Sequence, residues 1–535
     1  MSSPARQIIQ RHDKAVKVAQ VGSMKRPSPL DHGFKRRMRF ARRAAAPARG
    51  VAAALATLLG LTLAGCATPV LQPSVDVPSR FATAPASDEE PEAAWWQSFD
   101  DPVLSDLVRR AARENRDVKM AAERVRAARA GETISRSWLL PSIGASGVGV
   151  SYDTGYGSPA NLAVPDVKAV GGGLNVSWEV DLAGGLRAGA AAAAADTMAA
   201  EYQARGVRLL VMTDVASNYF THVGALRQLE TVRAISAAQG ETLRLVSARQ
   251  RVGLATAFDV ERAQTEASRA RAAIPPLETL AAVSRHRIAV LIGDQAFNAA
   301  GVVPWNGEVA VPSAQPGQPA ALLQRRPDLL AFKAQLDAAN SRRRQAKAEW
   351  FPQLFLSALF GRQRVDLNDF DLGATRFSLA SGLLAVPIFN AGRTGAINEI
   401  AASGQSEALI RYEDGIVRAL EDVENALVAL RDERQRAESL QTAAAAADAA
   451  LGRAQSLYDR GQTDLLPLLD SQRSRLAVRV GLNDSKTQLL LDSVRLYKAL
   501  GGGWQVFEPV TEPAAAGAAR SPNSRNSLDR NKEPS

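Results

Sequence analysis

Few side chains in this sequence can do chemistry, and their placement limits what kind. The only cysteine is Cys66, in Leu63-Ala64-Gly65-Cys66. It closes an apolar run from Val51 to Leu63 that follows a basic stretch holding Arg36, Arg37, Arg39, Arg42, Arg43 and Arg49. Basic, apolar, then small residues is the order of a secretory signal peptide. A lone exported cysteine has no intrachain disulfide partner, which points to acylation as its use. Beyond Cys66 the only histidines are His222 and His286, in no metal-ligand spacing, and no thiol remains for a nucleophile or a zinc ion. A phosphate loop of the Walker type is absent. Most acidic residues lie in long helical stretches with Arg three or four positions away, the pattern of a solvated face. The expectation is a protein that is not an enzyme and holds no metal.

Leu63-Ala64-Gly65-Cys66 resembles a bacterial lipobox, in which the cysteine becomes the first mature residue and carries an N-acyl chain and a diacylglycerol; no other cofactor is expected. Ala67 after Cys66 fits outer-membrane sorting, as that resemblance implies. A start at Met38 gives a 28-residue signal peptide. The whole chain carries a net charge of +10, but residues 1–65 hold 13 Lys/Arg and 2 Asp/Glu, leaving 52 basic and 53 acidic residues, a net of −1, beyond them. A nucleic-acid partner therefore loses its electrostatic support. The apolar run before Cys66 is about 15 residues, against about 20 for a spanning helix. No later run is longer, so a mature chain that crosses a membrane must do so as strands of a closed barrel.

The elements that position these residues come in two copies. Asn115-Arg116-Asp117 faces Arg326-Pro327-Asp328 at an offset of 211, as Pro141 faces Pro352. Asp214-Val215 meets Asp422-Val423, Gly253 meets Gly461, Gln264 meets Gln472 and Gly293 meets Gly501, all at 208. The difference predicts a three-residue loop indel between Pro141 and Asp214. Each copy reads helix, strand, strand, long helix, short helix. In the first, the helix spans Leu104–Trp138, the strands Ile143–Tyr152 and Val170–Val180, the long helix Leu186–Gln250, and the last helix Ala257–Leu291 with a kink at Pro275-Pro276. In the second, the same elements fall at Ala320–Trp350, Leu354–Gln363, Arg376–Val386, Thr394–Tyr458 and Leu465–Leu500. The implied organisation is an extension and signal peptide at 1–65, an anchored segment at 66–103, a first repeat at 104–293, a linker at 294–319, a second repeat at 320–501 and a C-terminal segment with a disordered tail at 502–535.

Leu174, Val176, Trp178 and Val180 alternate with Asn175, Ser177, Glu179 and Asp181, and Leu354, Leu356, Ala358 and Phe360 with Phe355, Ser357, Leu359 and Gly361. One apolar and one polar face suits a transmembrane strand. Four strands are too few to enclose a water-filled bore, and three chains would supply twelve. Ile416, Leu420, Val423, Leu427 and Leu430 step by four and three, the coiled-coil spacing. Their counterparts 208 residues earlier are Arg208, Met212, Val215, Tyr219 and His222.

Several segments resemble the outer-membrane efflux protein family of the TolC/OprM type, in its lipoprotein (NodT-like) branch. They are Trp95-Trp96 with Phe99-Asp100-Asp101-Pro102, Asn115-Arg116-Asp117, Ser177-Trp178-Glu179-Val180-Asp181-Leu182, Arg325-Arg326-Pro327-Asp328, Ala348-Glu349-Trp350-Phe351-Pro352, Val386-Pro387-Ile388-Phe389-Asn390-Ala391-Gly392-Arg393 and Tyr458-Asp459-Arg460-Gly461. The resemblance implies an α+β membrane protein, a homotrimer whose 12-stranded β-barrel in the outer membrane continues into a long periplasmic α-helical coiled-coil barrel. It implies stacked short helices, about 35 residues each, beside each long helix, and external loops near 153–169 and 365–375. It implies an exit duct for small molecules, working with an inner-membrane efflux pump and a periplasmic adaptor in a Gram-negative bacterium. The turns Arg251, Gly253, Leu254, Thr256 and Arg460, Gly461, Thr463 match adaptor-contacting tips, and Asp464 and Asp470 fall where a gate is expected. A second acidic gate position of the family is Pro467 here. The rival readings are a duct for type I protein secretion and a periplasmic coiled-coil scaffold lipoprotein.

Overall fold

The computed structural model describes residues 70–83, 92–155, 164–294, 310–312 and 315–508. Cys66, its flank and the C-terminal tail lie outside the described residues. One plan occurs twice. In the first copy α1 (Pro102–Glu114) and α2 (Arg116–Ser137) lead into β1 (Ser142–Tyr152) and β2 (Val167–Val180), followed by α3 (Gly185–Arg251), α4 (Ala257–Ala272) and α5 (Ile274–Leu291). In the second, α6 (Leu322–Arg325) and α7 (Pro327–Ala348) lead into β3 (Gln353–Leu367) and β4 (Phe370–Ala385), followed by α8 (Arg393–Asp459) and α9 (Leu465–Leu500). The long helices α3 and α8 have 67 residues each, roughly 100 Å at the helical rise.

The copies differ by two opposed changes rather than one small indel. The first hairpin, β1 to β2, takes 39 residues and the second 33, whereas the link from sheet to long helix takes 4 in the first copy and 7 in the second. The second hairpin has no loop over 365–375. Its strands run on to a two-residue turn at Asn368 (φ 50°) and Asp369 (φ 62°), the left-handed pair a tight hairpin requires.

The first helix of each copy is broken. Asn115 accepts from the backbone N–H groups of Asp117 and Val118 at 2.7 and 3.3 Å and donates its Nδ2 to the Leu291 carbonyl at 2.9 Å. Arg326 donates to the carboxylates of Asp328 and Asp422 at 2.8 and 3.0 Å and to the Ala499 carbonyl at 3.1 Å. The N-terminus of α2 thus meets the C-terminus of α5, and α7 meets α9, so the stacking joins helices of the same copy. The upper members are 22 residues long, not 35, because α1 and α6 split off. Pro275 and Pro276 interrupt the last helix where a kink is expected: α4 ends at Ala272 and α5 begins at Ile274, with Ala273 between them at φ −77°, ψ −12°. They open α5 after a break at Ala273, where a missing N–H costs nothing.

The expected seams are buried: Ile416, Val423, Leu427 and Leu430 in one core, Met212, Val215 and Tyr219 in another. Trp95, Trp96 and Phe99 are buried in the latter with Phe220 and Tyr497. Trp95 stacks on Tyr497 at 5.4 Å. Asp101 caps α1 through the N–H groups of Val103 and Leu104 and accepts the Tyr219 hydroxyl at 2.7 Å. A strap lies along α8. The backbone N–H and hydroxyl of Ser74 reach Glu413 at 2.8 and 3.0 Å, and Thr83 reaches Glu424 at 2.7 Å through its hydroxyl. Phe81 is buried between them with Leu329, Ile416 and Val423.

Candidate functional site: a sheet with open edges and a helical tip

The four strands form one antiparallel sheet in the order β1-β2-β3-β4. Register settles which residues share a face, because directly paired residues point the same way. Leu174 pairs with Phe360, Val176 with Ala358, Trp178 with Leu356 and Val180 with Leu354. The two alternations read from the sequence therefore form one apolar face, extended by Ile143 on β1 and Leu384 on β4. The opposite face carries Ser142, Ser177, Ser357 and Ser381 as a row across all four strands. Ser142 bonds Ser177, and Ser357 bonds Ser381, hydroxyl to hydroxyl at 2.7 Å. That face also holds Gly144, Gly171, Gly173 and Gly361, together with Val148, Phe355, Leu359, Phe377, Leu379 and Leu383, so both faces of the sheet expose apolar side chains. At the helix end of the sheet Trp138, Trp350, Ile388 and Phe389 are exposed. The outer edges of β1 and β4 have no strand partner among the described residues.

The opposite end of the helices brings both glycine turns together. Gly253 has φ +72° and Gly461 φ +69°. In each, the next residue donates its N–H five residues back, Leu254 to the Arg249 carbonyl at 2.8 Å and Gln462 to the Leu457 carbonyl at 2.9 Å, the Schellman termination of a helix. Beneath the turns Val246, Ala263, Tyr458, Leu465, Leu468 and Leu469 share one core. The Arg249 guanidinium covers the Tyr458 ring at 4.3 Å. Thr256 forms a capping box with Asp259: its hydroxyl accepts the Asp259 N–H at 3.1 Å, and the Asp259 carboxylate accepts the Thr256 N–H at 2.9 Å. These contacts hold the Asp259 carboxyl below the usual range. The corresponding residues of the second copy are Asp464 and Pro467, and Asp464 makes no capping bond.

Arg251, Leu254, Arg460, Asp464 and Asp470 are exposed and Thr463 is half-buried. Within one chain the side chains of Arg460, Asp464 and Asp470 reach no partner among the described residues. Val252, Phe258 and Leu466 are exposed beside Leu254. Val252 lies within the expected tip segment; Phe258 and Leu466 do not. Their signal was a run of apolar residues flanking the glycine turns. No cluster of metal-ligating side chains exists among the described residues, and no described helix is long and apolar enough to cross a membrane.

Electrostatics elsewhere hold the helices together. Burial pushes the Asp448 carboxyl up, but hydrogen bonds from Arg479 and Arg475 outweigh it and leave it below the usual range. Arg475 stands 2.7 Å away, clamping α9 onto α8. Asp492 is buried, which drives its carboxyl upward despite hydrogen bonds from Gln488 and Arg495. His222 is buried on its seam with Nδ1 2.8 Å from the Ala281 carbonyl. Burial lowers its pKa. A packed histidine, it faces no ligand set.

Two copies of a long helix beside stacked shorter ones carry one four-stranded sheet with unpaired outer edges among the described residues. The chain belongs to the outer membrane efflux protein family, whose model matches residues 107–294 and 319–502. It is the outer-membrane duct component of an efflux system. It is 34% identical over 434 residues to the pyoverdine export outer membrane protein OpmQ of Pseudomonas aeruginosa, covering 80% of this chain and 90% of the relative. It is 28% identical over 457 residues to the probable outer membrane lipoprotein SilC of Salmonella typhimurium, covering 83% and 96%. The solved outer-membrane channel OprN superimposes with a TM-score of 0.73 at 27% identity, covering 82% of this chain and 99% of that one.

Proposed function

We propose that three copies join edge to edge into a 12-stranded barrel that conducts small molecules across the outer membrane, continuous with a periplasmic helical barrel. The observation that carries this is the pair of open strand edges on a sheet with an apolar face. An unpaired edge cannot persist in lipid, where every backbone group needs a partner. Two chains would give eight strands and an interior filled by side chains, whereas three leave a bore. Trp138, Trp350 and Phe389 then lie at the inner interface, where aromatic girdles sit.

Cys66 is the lipid anchor. At the helical tip Arg251, Gly253, Leu254, Thr256, Arg460, Gly461 and Thr463 form the contact for a periplasmic adaptor, with Val252 and Phe258 adding apolar surface. Asp464 and Asp470, repeated threefold, ring the mouth as a gate that contacts between chains hold shut. An inner-membrane pump supplies the energy. The cargo is small molecules, in keeping with a relative named for pyoverdine export. The test is reconstitution in planar bilayers. Discrete conductance steps are expected; a membrane that stays sealed with protein inserted would leave the scaffold reading in place.

A further inference from the structure

The helices next to the sheet repeat its order. α2 packs on α3, α3 on α7 and α7 on α8, as β1, β2, β3 and β4 pair in sequence. α2 and α8 end the row, as β1 and β4 end the sheet. The contact of α3 with α7 joins the first copy to the second. In a ring of chains, α8 would meet α2 of the next chain in the same sense.

The structure shows the register of the inner contact. Arg342 of α7 pairs with Asp196 of α3. A methyl group added at Gly185 would stand 2.8 Å from the Ala348 side chain, and one at Gly206 3.8 Å from that of Pro327. α8 follows α3 by 208 residues, and α2 precedes α7 by 211. Carried over, Gly206 and Pro327 become Asp414 and Arg116. One turn nearer the sheet, Tyr202 and Ala331 become Ile410 and Met120. Next, Ala199 and Gln335 become Glu407 and Arg124, and Asp196 and Arg342 become Gly404 and Gly131. Opposite charges then stand across from each other at two levels, with an apolar pair between.

Nothing inside one chain accounts for these residue types. Ala199 and Ala331 are buried, whereas their counterparts Glu407 and Met120 are exposed. Ile410 is 63% exposed. Arg116 and Arg124 are exposed and have no ion-pair partner among the described residues. Asp414 and Glu407 hold only Arg418 and Arg411 of their own helix, exposed pairs that contribute little. Gly131 and Gly404 lie inside helices, where each costs about 1 kcal/mol relative to Ala. A methyl group added at either meets nothing within 4 Å.

We propose that α8 of one chain packs on α2 of the next in this register. Asp414 then pairs with Arg116 and Glu407 with Arg124, Ile410 covers Met120, and Gly131 and Gly404 let the two backbones approach. The inference rests on the trimer reading above and names its helical contact. Ion pairs between helices of different chains set register and partner choice, because the wrong alignment brings like charges together.

The test is charge exchange in the purified full-length protein in detergent, with native mass spectrometry reading the trimer that survives stepwise heating. R116E/R124E places like charges at both levels and should retain at least fivefold less trimer than wild type. E407R/D414R should do the same. The four-residue variant R116E/R124E/E407R/D414R should return to within twofold of wild type, a recovery that a folding defect would not give. Gly404→Leu, which meets open space in the single chain, should also retain at least fivefold less trimer, with helix content unchanged by circular dichroism. Full retention by either charge variant, or no recovery on combining them, in a protein whose wild type is trimeric would overturn this seam and leave the closure of the sheet edges standing. Full retention by Gly404→Leu would overturn the close approach at the glycines. A wild type that is not trimeric would remove the trimer reading itself, an outcome visible before any variant is made.

Discussion

Thr256 and Asp464 occupy the same place in the two copies, 208 residues apart, yet they do unequal work. The Thr256 hydroxyl accepts the Asp259 N–H and donates to the Asp259 carboxylate at 2.8 Å. Asp464 opens α9 without a capping bond, and Pro467 stands where Asp259 would answer it. Thr256→Ala should destabilise the first turn of α4 by about 1 kcal/mol, within the 0.5–2 kcal/mol of lost caps, so that it opens about fivefold more often. Asp464→Ala should change the first turn of α9 by less than about 0.5 kcal/mol. Hydrogen exchange read on peptides covering 252–262 and 460–470 separates the two ends. The acid limb adds a check on sign. Asp259 is held below its usual range by Thr256, so its contribution is complete above the unfolded carboxylate pKa and is lost as pH falls through the lowered value. The gap between wild type and Thr256→Ala should close on acidification. Equal protection loss in the two variants, or a larger loss for Asp464→Ala, would refute the reasoning.

Asp492→Asn should raise stability at neutral pH. Burial raises the folded-state pKa of Asp492, so the stability this group allows is complete below the unfolded pKa and is lost as pH rises through the raised one. Thermal unfolding at pH 7 should favour the variant, with the gain shrinking toward pH 4; a less stable variant at pH 7 would count against it. Asp470→Ala, at an exposed position, should change stability by less than about 0.5 kcal/mol but raise single-channel conductance. Unchanged conductance would remove Asp470 from the gate.

What could be read in the sequence depended on whether a signal was local. The alternation at Leu174–Val180 has a period of two and needs no partner to be seen. The seam at Ile416–Leu430 is equally local, and so are the Gly253 and Gly461 turns, where a left-handed φ demands glycine. The serine row is not local. Ser142, Ser177, Ser357 and Ser381 lie far apart in the chain and align only through register. The second hairpin misled because Asp366, Asn368, Asp369 and Asp371 look like a loop. On one face the alternation runs on through Val365, Leu367 and Phe370, and only the turn residues need a positive φ. Asn115 served as a repeat marker but hid a helix cap, since one Asn between helix-forming stretches is weak evidence of a break. Nothing marked the strap. Glu413 and Glu424 resemble any solvated helix charge until Ser74 and Thr83 are placed on them.

The central claim, that β1 of one chain closes on β4 of the next, is open to direct cross-linking. Ser146→Cys on β1 would be combined in turn with Thr375→Cys, Phe377→Cys, Leu379→Cys and Ser381→Cys, which lie on the same face of β4. After oxidation in outer-membrane fractions, at least one pair should give a denatured ladder of dimer and trimer that ends at three. Monomers at every position, or a ladder climbing past three, would contradict a closed threefold barrel.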